Sequence, residues 1–161
     1  MPGSWTHLAA RFYDVVTSRA LDKGERDAVR RWLPETHLQK AFFAQTQADQ
    51  RHGFAAALHV VAAHPDRSDL IRAALVHDIG KRHARLGPLG RVLASLAIRL
   101  RLPLSPRMAL YRDHGRLGAA ELGGVEGIVT DFTRHHHGEC PPTISPEDWG
   151  TLVASDRARV R

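Results

Sequence analysis

Cysteine is nearly missing from this chain. Cys140 stands alone among 161 residues, which excludes an internal disulfide framework and any thiolate-rich zinc site. Long apolar runs are missing too. The apolar stretches, such as Val92 to Ile98, fall far short of the roughly 20 residues that cross a bilayer as a helix. The start, Met1-Pro2-Gly3-Ser4-Trp5, has no basic stretch leading into an apolar run, so a signal peptide is not expected. There is no repeat, no low-complexity tract, no P-loop and no GxGxxG, which removes the usual glycine-rich phosphate cradles. Alternating strand patterns are absent as well. The expected location is the cytoplasm, with no transmembrane segment.

What is present describes an ordinary globular domain. Hydrophobic residues make up 43% and charged residues 25%, enough apolar material for one core. The formal charge of +6 rests on 20 arginines against 3 lysines. Such a bias also arises in GC-rich genomes, so no nucleic-acid partner is expected from it. The unusual count is 11 histidines. Histidine changes charge near neutrality and is the commonest metal ligand.

The periodicity is helical nearly throughout and predicts an all-α fold. A first helix starts at Ser4 with Leu8, Phe12, Val15 and Val16 on one face, and a second follows Asp22 with Val29, Trp32 and Leu33. A long helical stretch covers about Glu35 to Ala63, with Thr46 as a possible break. His64-Pro65 stops it, because proline disfavours helix in the residue before it. The next helix is capped by Ser68 or Asp69 and is expected to end near Gly80 in a left-handed step. Pro88 to Leu102 is basic and amphipathic. Pro106 starts another helix, which Gly115 and Gly118 are placed to interrupt. The last two cover Val125 to His136 and Ser145-Pro146 to Ala158.

The run Leu75-Val76-His77-Asp78-Ile79-Gly80-Lys81 places an imidazole beside a carboxylate where an apolar helix ends, so both can turn toward one ion. A buried aspartate is costly unless it is paired or metal-bound. This run resembles the HDIG form of the signature of HD-domain metal-dependent phosphohydrolases. Further elements resemble that family in order. His52 lies in Gln50-Arg51-His52-Gly53, His114 opens His114-Gly115-Arg116-Leu117-Gly118-Ala119-Ala120, and a histidine triplet stands in Arg134-His135-His136-His137-Gly138. Asp156 lies in Ser155-Asp156-Arg157. The resemblance spans Gln50 to Arg157. It implies a single HD-domain helical bundle over residues 46–161, with the metal site in its core and residues 1–45 as N-terminal helices packing on it.

The resemblance implies metal ligands at His52, His77, Asp78, His114, His136, His137 and Asp156. Such nitrogen and carboxylate donors suit one or two divalent ions, Mn, Fe or Zn, with Mg also open. In the two-ion version Asp78 bridges, and two ions about 3.5–4 Å apart clamp a phosphoryl group. The expected reaction is hydrolysis of a phosphate ester or anhydride of a small nucleotide-like substrate. Asp78 and Lys81 are the catalytic candidates, and Lys81, Arg82 and His114 the substrate-binding ones. Arginine offers phosphate a fork and lysine a point charge. Consecutive helical residues point about 100° apart, so the triplet cannot all face one ion; His136 is favoured, then His137, with His135 outward. His59 lies two turns from His52, about 10.5 Å along the axis, too far to share an ion. His7, His37, His64 and His83 carry no motif.

Each residue also has a plainer role open to it. His52 alone reads as a core histidine, and Asp156 as a salt-bridge partner. No Gly-Tyr-Pro follows the triplet; Glu139-Cys140-Pro141-Pro142 stands there, which argues against the cyclic-di-GMP specificity of the HD-GYP subgroup. A nucleotide-sensing module that keeps the fold and has weak chemistry is the alternative function. The stretch bearing Arg82, Arg85, Arg91, Arg99 and Arg101 reads as a solvated basic face, a lid or dimer helix, or a nucleic-acid or membrane surface. Trp5, Phe12, Trp32, Phe42 and Phe43 fit helices that cover the pocket or form a homodimer interface.

Overall fold

The computed structural model describes residues 18–158 apart from Gly124 and Glu126. The helix expected from Ser4 lies outside the described residues. Among those described there are nine α-helices, one 3-10 segment and no strand, so the all-α expectation holds.

Helix α1 (Lys23–Trp32) begins where Asp22 accepts from the Glu25 amide and Glu25 reaches back to the Asp22 amide. This reciprocal cap satisfies two donors that a helix start otherwise leaves open. The stretch expected to run from Glu35 to Ala63 is two helices, α2 (Thr36–Phe43) and α3 (Gln47–Ala63). The break falls at Thr46, whose hydroxyl accepts from the Asp49 amide and starts α3. Helix α3 stops at His64, before Pro65.

Helix α4 (Ser68–Val76) is the centre of the bundle, and six of its residues, Leu70, Ile71, Ala73, Ala74, Leu75 and Val76, are buried. It packs on α3, on α8 (Ile128–His135), on α9 (Pro146–Asp156) and on α1. Val29, Leu33, Leu38 and Phe42 from α1 and α2 enter the same core as Phe54, Val60, Leu70, Leu75, Phe132 and Leu152. Each such side chain fully withdrawn from water contributes about 1.5–3 kcal/mol.

After α4 the chain does not end in a left-handed glycine as expected. It tightens into a 3-10 segment (Ile79–Ala84) that contains Gly80. Gly80 is there for space: a Cβ would stand 2.0 Å from the His114 carbonyl oxygen and 2.6 Å from the Gly118 amide. The left-handed residue is Arg85, with φ 47°. Helix α5 (Pro88–Arg99) follows, then α6 (Pro106–Arg112) and α7 (His114–Glu121). The interruption expected at Gly115 and Gly118 falls instead at Asp113. Both glycines lie inside α7, whose packing on the 3-10 segment and on α8 leaves no room for larger side chains there.

Candidate metal centre

Three histidines are set by the same local device. His77 caps the C-terminus of α4, and its Nδ1 donates to the Ala74 carbonyl at 2.8 Å. His136 caps α8 and donates from Nδ1 to the Thr133 carbonyl at 2.9 Å. His114, just past the end of α6, donates from Nδ1 to the Tyr111 carbonyl at 2.6 Å. A carbonyl oxygen can only accept, so each Nδ1 carries the proton. The Nδ1 bond turns each ring so that Nε2 is the nitrogen offered to the cluster, the arrangement in which metal-ligating histidines are usually held.

Those Nε2 atoms converge on Asp78, which is 2% exposed. Its Oδ1 lies 3.2 Å from His114 Nε2 and 3.5 Å from His136 Nε2. Its Oδ2 lies 3.4 Å from His77 Nε2 and 3.7 Å from His52 Nε2. Asp156, the last residue of α9, completes the second side, with Oδ1 at 3.1 Å from both His52 and His77 Nε2. Two groups result, His52, His77, Asp78 and Asp156 on one side and Asp78, His114, His136 and His137 on the other. Within each group the donor atoms lie within 4.8 Å of one another. This buried His/Asp cluster can hold a metal ion, and the one carboxylate common to both groups sends a different oxygen to each.

Two observations test the fit. Asp78 Oδ1 is buried and has no hydrogen-bond partner, a costly state for a carboxylate oxygen. It faces His114 and His136, whose Nε2 atoms are only 3.2 Å apart, so when both rings are neutral three electron pairs meet there. Burial keeps the His136 pKa below its ordinary value, so a proton is a poor occupant, while a divalent cation satisfies all three donors.

The other side shows the same demand differently. Burial opposes charge on His77, but Asp78 and then Asp156 outweigh it and push its pKa up to about 10. Burial likewise opposes the Asp78 carboxylate, yet the charges of Lys81 and His77 hold its pKa well below the usual range. For Asp156, hydrogen bonds from His52 and His77 overcome burial and lower the pKa. The carboxylates thus draw positive charge into the core.

The chain has no match among protein-family models, curated proteins or solved structures. The residues themselves therefore carry the reading of this site.

All seven residues expected as ligands meet in the two groups. His137 is the most open of the second group: its ring lies tilted against His136 at 4.0 Å between centroids and remains exposed. Lys81 is buried, with its ammonium on Asp78 Oδ2. Arg82 turns away, onto the Ile79 carbonyl and Glu121, where His83 also binds. His59 and His37 are exposed, and His64 meets Thr151 at 3.4 Å. Sequence reasoning passed over Phe132, which packs against both His77 and His136 with centroids 5.9 Å away. Its place four residues before His136, on the same helix face, was the available signal.

Proposed function

We propose that the chain is a metal-dependent phosphohydrolase that cleaves a phosphate ester or anhydride of a nucleotide-like substrate. The observation that carries the proposal is the Asp78 carboxylate shared between two ligand groups, with Oδ1 directed to one and Oδ2 to the other. Nitrogen and carboxylate donors in this ratio suit Mn, Fe or Zn, and tolerate Mg less well. When bound, such ions supply Lewis acidity to a phosphoryl oxygen and acidify water near neutral pH. The resemblance to the HD-domain phosphohydrolases in the order of His52, His77-Asp78, His114, His136 and Asp156 supports the same reading.

The chain's own groups have separable tasks. Asp78 holds the two halves of the site in register. His52 and Asp156 keep 23% of their side chains exposed, and His137 is exposed, so each ligand group has an edge open to substrate and water. Lys81 places a positive charge at the carboxylate edge, where a phosphoryl group arriving at Asp78 meets it. Lys81 on Asp78 and Arg82 on Glu121 each have a carboxylate partner, and of the two only Lys81 stands on a ligand residue.

The test measures metal content of the purified protein together with phosphate release from nucleotides, dinucleoside polyphosphates and cyclic dinucleotides. Copurifying transition metal, and turnover that disappears in His77→Ala and Asp78→Ala, is the expected result. Folded, metal-free protein with unchanged turnover in those variants would overturn it. Nucleotide affinity without any turnover would favour the sensing module instead.

A further inference from the structure

Between Asp78 and Asp113 the sequence has no acidic residue, and it carries eight lysines and arginines. Some of these charges are absorbed by the fold: Lys81 by Asp78, Arg82 by Glu121, Arg91 by Asp49 and Arg112 by Asp113. Arg85, Arg101 and Arg107 are exposed. Exposed apolar side chains gather in the same stretch. Among the described residues six large hydrophobic side chains are exposed, and five of them, Leu89, Leu93, Leu100, Leu102 and Leu110, belong to it.

Their arrangement is regular. Leu89, Leu93, Leu96 and Leu100 follow one another at four, three and four residues, which is one stripe along a helix. The opposite side of α5 faces the protein, with Ala94 and Ala97 buried and Arg91 paired to Asp49 at 2.5 and 2.7 Å. The helix then closes in a fixed way. The Leu102 amide donates to the Ala97 carbonyl at 2.9 Å and the Arg101 amide to the Ile98 carbonyl at 3.1 Å, the double bond of a Schellman end. The left-handed position of that motif belongs by preference to glycine, yet here it holds Arg101 at φ 53°. The result is Arg99-Leu100-Arg101-Leu102, all exposed, leucines and arginines alternating on a rigid helix end.

We infer that α5 and its C-terminal turn dock on an anionic phospholipid surface, leucines entering the acyl boundary and arginines meeting the headgroup phosphates. An amphipathic helix with leucines on one face and basic residues beside them binds such an interface through both terms. Charge decides between occupants. A second copy meeting this face across a two-fold axis would set arginine against arginine. An anionic surface answers the same charges, and its fluid interior accepts leucines without needing a matching groove.

The experiment is sedimentation of the full chain with vesicles, either phosphatidylcholine alone or equal parts of phosphatidylcholine and phosphatidylglycerol. Binding to the anionic vesicles and little to the neutral ones is expected. Leu93→Glu with Leu100→Glu, both at exposed sites, should lower affinity by tenfold or more with the circular dichroism unchanged. Arg101→Gly is the sharper variant: glycine relieves the left-handed position, so thermal stability holds or rises, while vesicle affinity falls about fivefold. The proposal fails if anionic vesicles do not sediment the protein, if neutral vesicles do so equally, or if both variants bind as the parent does. It fails equally if ultracentrifugation shows a dimer that the leucine variant dissociates, or if the face binds an acidic helical peptide but no vesicle.

Discussion

His114 and His136 point their Nε2 atoms at each other across 3.2 Å, while the Nδ1 of each is tied to a carbonyl three residues earlier in the chain. Neither ring can turn to relieve the approach without giving up its backbone bond. Asp78 Oδ1 completes the triangle without a hydrogen bond of its own. The two halves of the cluster are therefore coupled through one carboxylate, and this coupling can be measured.

Removing the shared carboxylate should cost more metal than removing a ligand from one side. Asp78→Asn is expected to deplete both groups, whereas His52→Ala and His114→Ala each deplete one. Mass spectrometry of metal content, with calorimetric titration of Mn and Zn into the stripped proteins, distinguishes the three. Equal losses in all of them would contradict a shared ligand.

Metal binding should release a proton over a defined range of pH. In the metal-free protein His77 has its pKa raised from 6.5 to about 10 by the two carboxylates. The stability this charge contributes is complete below the unfolded value and is lost as pH rises through about 10. The metal-free protein should therefore melt at progressively lower temperature across that window. Metal competes with the same proton, so apparent affinity should climb about tenfold per pH unit over it. Asp78 and Asp156 stay ionised throughout, since their pKa values are lowered. Calorimetry in buffers of different ionisation enthalpy reads the released proton directly.

Gly80→Ala should loosen one side of the centre before the other. Its Cβ would meet the backbone of His114 and Gly118, and backbone cannot yield as a side-chain tip can. Overpacking of this kind costs about 1–3 kcal/mol. The displaced element is α7, which carries His114, so the His114–His136 group should lose metal affinity while the His52–His77 group retains more. Denaturation curves and metal stoichiometry together give the answer.

The Arg91–Asp49 pair should behave as a buried strut. Its side chains are only 11% and 7% exposed, and both oxygens are used. Arg91→Met leaves the Asp49 charge buried with Thr46 as its remaining partner, and is expected to destabilise by about 3 kcal/mol. Adding Asp49→Asn should recover a good part of that. A urea double-mutant cycle measures the coupling.

The sequence was most legible where a residue's role is local. Asp22, Thr46 and Ser145 occupy helix starts because their side chains reach amides three residues on, and such caps are visible in the chain itself. The histidines were legible as an ordered motif, and their meeting depends on helices that hydrophobic periodicity already placed. The reason for Gly80 is not legible locally, because it lies in α7, far along the sequence. The Arg82–Glu121 pair is likewise not legible, because nothing near Arg82 in sequence points to Glu121. Asp49 offered no hint of Arg91, since ion pairs between distant segments leave no spacing to read.

The gathered donors come from α3, α4, α7, α8 and α9, and they reach from His52 to Asp156. A cation seated among them would be a cross-link joining most of the bundle at one point. In a chain whose lone cysteine, Cys140, has no partner for a disulfide, that staple is the one covalent-like tie the composition allows. Stripping the ion should then do to this protein what reduction does to a disulfide-bonded one: free the helix ends first and lower the barrier to unfolding.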